Sequence, residues 1–135
     1  MALPAPCPST LDRRPRVFVV EDNLDAASTL VDLLRIWGYE AEAVHDGLVA
    51  VELAATFRPD VVLLDIGLPG IDGYEVARRL RGKPDLAHPL IIAVTGYGQE
   101  SDRKQAREAG FDHHLVKPVD LEALRRLLSQ APLLL

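Results

Sequence analysis

VVLLDIGLPGIDG, residues 61–73, opens with four apolar residues and then delivers an aspartate where another aliphatic side chain would continue the run. A short run with no polar alternation is what a strand shows when helices cover both of its faces, as in a parallel sheet. Asp65 therefore arrives at the end of a buried segment. Turn chemistry follows it at once, in Gly67, Pro69, Gly70 and Gly73.

Working outward, VFVV (17–20) and LIIAV (90–94) are also apolar throughout, so three strands belong in the middle of the sheet. YEAEAV (39–44) alternates, with Glu40 and Glu42 on one face, and HLV (114–116) is short; both read as edge strands. Segments with helical spacing lie between the strands. Ala27, Leu30, Val31 and Leu34 form one apolar stripe ending at Gly38, and Ala50, Leu53, Ala54 and Phe57 form a second, stopped by Pro59. Val76 and Leu80 mark a third helix after Asp72; Leu121, Leu124 and Leu128 mark the last after Asp120, a good capping residue. The fourth, about Gln99 to Ala109, has little beyond Ala106 and Ala109 to bury and should be loosely held. Strands alternating with helices imply right-handed βαβ units, and the order 2-1-3-4-5 puts the two edge candidates at the edges.

The bulk properties fit one such domain. The chain has 135 residues, 48% of them hydrophobic and 26% charged, and no apolar run approaches the roughly 20 residues that span a bilayer. Residues 1–15 read as a flexible, proline-rich leader without the apolar core of a secretory signal, residues 16–131 as the domain, and residues 132–135 as a short tail. A cytoplasmic location is the expectation. Cys7 is the single cysteine and can form no internal disulfide. A formal net charge of −5 argues against direct nucleic-acid binding, which depends on neutralising phosphates. His45, His88, His113 and His114 show no metal-ligand spacing.

In an open parallel sheet, ligands bind outside the carboxyl ends of the strands, near the point where strand order reverses. There the first strand ends in Glu21-Asp22, the third in Asp65, the fourth in Thr95 and the fifth in Lys117-Pro118. Carboxylates held about 5 Å apart repel by ~3 kcal/mol per pair at an effective dielectric of 20. A hard divalent cation with oxygen ligands offsets that repulsion, and Mg²⁺ suits a few carboxylates better than a full protein cage. Asp65 then reads as a nucleophile beside a metal, able to form an acyl phosphate, with Thr95 and Lys117 donating to phosphoryl oxygens. A backbone carbonyl in the turn after Asp65 is a further possible metal ligand. Asp60, before the third strand, lies at the opposite rim and is assigned nothing.

VVED, LLDIGLPGIDGYE, AVTG and LVKP, in this order, resemble the receiver domains of two-component response regulators over about residues 16–131. The wording LLDIGLPGIDGYEVARRLR and GFDHHLVKPVD is most similar to receivers attached to hybrid sensor kinases or to single-domain response regulators. The resemblance implies a single-domain (βα)5 flavodoxin-like fold. It implies Asp65 as phosphoacceptor, Asp22 as a direct Mg²⁺ ligand, Glu21 acting on the metal through water, and Gly67 lending its carbonyl. Thr95 would hydrogen-bond the phosphoryl group, and Lys117 would pair with it ahead of a cis bond to Pro118. Two departures stand out: Glu21 replaces the commoner aspartate, and His114 stands where an aromatic switch residue is usual. Thr95 and His114 are therefore the switch candidates. The implied partners are a sensor histidine kinase or histidine phosphotransfer protein and a downstream protein target, reached by protein contact because no output domain follows residue 131.

Three other readings are weighed. An aspartyl phosphohydrolase usually carries a second acid two residues after the nucleophile, where this chain has Gly67. A flavin module needs a first loop that receives phosphate, whereas EDNLD (21–25) is acidic. A receiver-like scaffold that has lost phosphorylation would be expected to lack one of the chemical positions, and all are filled.

Overall fold

The computed structural model describes residues 14–84, 86, 88–96 and 103–130. Strands β1 (Arg16–Val20), β2 (Glu40–Val44), β3 (Val61–Asp65), β4 (Leu90–Thr95) and β5 (His113–Val116) alternate with helices α1 (Leu24–Ile36), α2 (Gly47–Phe57), α3 (Gly73–Arg81), α4 (Arg103–Ala109) and α5 (Leu121–Leu128). All neighbouring strands pair in parallel, in the order β2-β1-β3-β4-β5; the patterning placed β2 and β5 at the edges but did not by itself order the three central strands. The leader up to residue 13, Cys7, the start of the fourth helix at Gln99 and the tail lie outside the described residues.

The period of two along each strand sends alternate side chains to opposite faces, and this divides the core. Val17, Val19, Leu63 and Ile92 pack with Ala27, Val31 and Leu34 of α1 and Leu124 and Leu128 of α5. Phe18, Val20, Val62, Leu64, Ile91 and Ala93 pack on the other face with α2, α3 and α4. β3 is buried along its whole length, which is why VVLLD shows no alternation. β2 buries Ala41 and Val44 and exposes Glu40 and Glu42, the mark of an edge.

Local chemistry sets the helix ends. Asn23, Asp46, Asp72 and Asp120 each accept backbone N–H groups at the starts of α1, α2, α3 and α5. Such caps are worth about 1 kcal/mol apiece. Gly38 takes φ +100 just after α1, where a Cβ would be strained. Asp60 has a structural role at the far rim: its carboxylate accepts the Arg16 N–H at 2.8 Å.

Two expected core residues lie outside. Leu53 of α2 is 45% exposed and Leu121 of α5 is 46% exposed. α2 buries Gly47, Ala50 and Ala54, so its inward stripe runs through small residues and turns Leu53 away from the sheet. Leu121 is the first residue of α5 and sits at the rim rather than beneath the sheet. Tyr39 lies before β2, and Asp65 and Thr95 are themselves the last residues of their strands. α4 buries Ala106 and Ala109, as its composition suggests.

Candidate functional site

The carboxyl ends of β1, β3, β4 and β5 meet at one rim. Glu21 continues β1, its N–H donating to the Val44 carbonyl at 2.9 Å, so the chain is still pinned to the sheet where its side chain leaves. The Glu21 carboxylate accepts the Asn23 N–H at 3.1 Å, and the Asn23 side chain in turn caps α1. His45 places Nδ1 3.0 Å from the Glu21 carbonyl. One compact turn thus orients the first acid.

Asp65 ends β3 and is 8% exposed. Its Oδ1 accepts the Gly67 N–H at 2.8 Å. The following loop folds tightly over this residue: the Gly73 N–H donates to the Ile66 carbonyl at 3.1 Å, and a Cβ at Gly73 would lie 2.7 Å from Ile66 Cα and 2.9 Å from the Asp65 carbonyl oxygen. Gly70 adopts φ +82 in the same turn. The glycines that read as turn chemistry therefore include one, Gly73, required by close backbone approach.

Lys117 follows β5, its N–H donating to the Thr95 carbonyl at 2.7 Å, and its peptide bond to Pro118 is cis. Its ammonium lies 2.7 Å from Glu21 Oε1 and 3.3 Å from Asp65 Oδ2. Thr95 is 1% exposed; its hydroxyl lies 3.2 Å from His114 Nε2 and 3.5 Å from the Leu115 carbonyl.

Glu21, Asp22 and Asp65 bring carboxylate oxygens within 4.8 Å of one another. Two of the three are buried and Asp22 is exposed. Burial pushes the Glu21 carboxyl above its ordinary range; the Lys117 ammonium and the Asn23 N–H offset this in part, and the Asp65 charge adds to it. For Lys117, burial works against the charged form, but hydrogen bonding and attraction from Glu21 and Asp65 outweigh it and hold its pKa above the ordinary lysine value. The pair is lopsided: the lysine gains from it while the glutamate carries the cost of burial beside a second acid. Beside the cup a largely apolar groove of about 610 Å³ runs between α1 and the start of α5, with Asp65 and Lys117 in its wall.

The rim thus brings together the side chains of Glu21, Asp22, Asp65 and Lys117, and Thr95 is joined to it through its carbonyl, which accepts the Lys117 N–H. Gly67 contributes an amide hydrogen bond to Asp65, a backbone role that no residue type announces. The Asn23 N–H on Glu21 was equally invisible, although asparagine just before a helical run does signal the cap that places it. Fold and rim together define a class: flavodoxin-like α/β domains whose switch-point ligand site is acidic. Residues 17–129 match the response regulator receiver domain, and the chain belongs to that family.

Its similarities agree. It is 34% identical over 119 residues to the polar-differentiation response regulator DivK of Brucella anthropi, a match covering 85% of this chain and 97% of that protein. A CheY-like receiver domain from Methylobacillus flagellatus superposes with a TM-score of 0.80 at 31% identity, covering 88% of this chain and 99% of the other. The receiver domain of a sensor histidine kinase from Pseudomonas aeruginosa, with a magnesium ion coordinated in its active site cleft, gives 0.78 at 33% identity, covering 88% and 98%. Among the described residues, no helix is long and apolar enough to cross a membrane.

Proposed function

We propose that this chain is a phosphoacceptor of a two-component phosphorelay, taking a phosphoryl group onto Asp65 from a phosphohistidine. The observation that carries the reading is the rim itself: three carboxylates with oxygens within 4.8 Å, and Lys117 bridging two of them at 2.7 and 3.3 Å. A carboxylate oxygen of Asp65 attacks phosphorus as the donor's phosphorus–nitrogen bond breaks, the electron pair remaining on the imidazole. Water attack on the same phosphorus later restores the carboxylate and releases phosphate. The chain is in this sense a catalyst of its own modification and not an enzyme for an external substrate.

The donor set of hard oxygens fits Mg²⁺, with Asp22 and Asp65 as ligands, the Gly67 carbonyl beside them and Glu21 acting through water. A cation held there would neutralise charge that develops on the transferring group. Lys117 moves from the carboxylates to a phosphoryl oxygen, and the buried Thr95 hydroxyl donates to another. The apolar groove beside Asp65 suits the approach of a kinase or phosphotransfer protein, and output follows by contact with a downstream protein in the cytoplasm.

Incubation with acetyl phosphate and Mg²⁺ followed by mass measurement of the intact chain tests this. The wild type should gain one phosphoryl group, and Asp65→Asn none. Labelling retained in that variant would move the acceptor elsewhere. Trp37 closes α1 at its far end, about 20 Å from the rim for a helix of 13 residues rising 1.5 Å each, so its fluorescence reports folding and not metal binding directly.

A further inference from the structure

We propose that the proline-rich segment ahead of the domain, residues 1–13, folds back into the cleft between α2 and the edge strand β2 and covers the apolar outer face of α2.

A helix lying on a sheet usually turns charged and polar side chains to water. α2 does not. Its sequence, GLVAVELAATF, has Glu52 as its single charge, and its outward residues Leu48, Val49 and Leu53 are 47%, 40% and 45% exposed. Between Leu53 and Thr56 of α2 and Glu40 and Glu42 of β2 lies a cleft of about 400 Å³. Phe18, Val44 and Phe57 line it from below, the two aromatic rings stacked with centroids 4.6 Å apart. Val49, one turn before Leu53, extends the apolar stripe along the helix. Exposed apolar surface gathered in this way and rimmed by charge marks a binding surface.

The place where the chain enters the domain selects the occupant. The Pro15 carbonyl accepts the Glu40 N–H at 2.9 Å, and Arg14 lines a neighbouring hollow with Glu40, Glu42 and Phe57. Residue 13 therefore starts at the mouth of the cleft. Thirteen residues in a polyproline II helix span about 40 Å, whereas α2, with 11 residues, is about 16 Å long, so the segment reaches the whole stripe even after a turn. Its chemistry matches as well. In MALPAPCPSTLDR, Pro4, Pro6 and Pro8 lack the N–H groups that a strand added to β2 would need, but they hold the chain in the extended form that docks in aromatic-lined grooves. Leu3 and Leu11 supply apolar side chains. Arg13 and Arg14 complement Glu40 and Glu42, whose partners Arg16 and Arg35 stand 3.6 and 3.7 Å away. A second copy of the chain docked by the same face would bring Glu40, Glu42 and Glu52 against their own counterparts, and such like charges repel.

Cys7, the single cysteine, lies within the segment and takes a nitroxide label without any substitution. In the full chain, the amide signals of β2 and of the second half of α2 should lose intensity severalfold relative to the same sample with the label reduced, while those of α5, on the other face of the sheet, keep theirs. Leu53→Asp, at an exposed position, and Arg13→Glu, outside the domain, should each restore the lost intensity. A mixture of ¹⁵N-labelled chain without nitroxide and unlabelled chain carrying it should show no loss. Loss in that mixture assigns the face to a second copy and overturns the proposal. So do α2 signals equal to those of the reduced sample, which leave the face to a different protein, and loss that survives in either variant.

Discussion

At the scale of single residues, the site depends on what is missing as much as on what is present. Gly73 lets the loop after β3 close onto the backbone of Asp65 and Ile66, and an added methyl would lie under 3.0 Å from backbone atoms that cannot move away. Gly73→Ala should therefore cost about 1–3 kcal/mol, the usual penalty for forced overpacking. Gly82 is the internal control. It has φ −82, and a Cβ there would meet nothing nearer than 3.5 Å, so Gly82→Ala should be neutral or stabilising by up to about 1 kcal/mol through the unfolded chain. Urea denaturation of both variants decides it; equal midpoints would remove the close-approach argument. From the sequence, Gly67, Gly70, Gly73 and Gly82 look alike, because spacing reveals a turn but not which glycine touches backbone.

At the scale of elements, the weakest helix is fastened from outside. α4 buries little of its own, yet the chain just beyond it is clamped by Arg81 from the end of α3. That guanidinium, 16% exposed, donates to the Gly110 carbonyl at 2.8 and 3.0 Å, to the Pro89 carbonyl at 2.7 Å and to Asp112 at 2.8 Å. Asp112 also accepts the Ile91 N–H, so α3, β4 and the approach to β5 share one knot. Charge-assisted bonds of this kind, once broken, leave carbonyls without donors, and Arg81→Met should lose about 2–3 kcal/mol. Amide exchange in α4 should be faster than in α1 and α3 in the wild type, and faster still in the variant. Unchanged stability, or α4 protection equal to that of α1, would contradict this account. The sparse buried face of α4 was legible in QAREA; the clamp was not. Arg78, Arg79 and Arg81 form one basic stretch, and the sequence alone does not say that the third turns inward while the first two pair with Glu75 on the surface.

At the scale of the whole molecule, the sequence was most legible where one constraint repeats along an element. Apolar runs identified the central strands, alternation identified the β2 edge, and strand ends identified the rim, since all three follow from burial. Leu53 was misplaced because periodicity alone did not separate it from Ala50 and Ala54, which carry the buried face of α2, and Leu121 because it begins α5 at the rim, beyond the part of that helix that lies under the sheet. Contacts made by backbone amides and the Thr95–His114 bond carry no compositional mark at all. The rim also sets the response of stability to pH and metal. Glu21, whose carboxyl is pushed up by burial, binds its proton more tightly folded than unfolded, so stability falls as pH rises through its raised pKa. Lys117, also raised, keeps its contribution at neutral pH and loses it only as pH climbs above the ordinary lysine range. At pH 7 without metal, Glu21 is thus a net burden, and Glu21→Gln should be the more stable protein, with Lys117 still held by Asp65 at 3.3 Å. The difference should vanish at pH values acid enough to protonate the glutamate in the folded and unfolded chains alike. Adding Mg²⁺ at ten times its dissociation constant should stabilise the wild type by about 1.4 kcal/mol and the variant, at the same concentration, by less, narrowing or reversing the gap. Urea midpoints measured with EDTA and with Mg²⁺ at pH 7 test both halves; a metal-free Glu21→Gln protein weaker than wild type would show that the ion pair with Lys117, and not the burial of the acid, governs the cup.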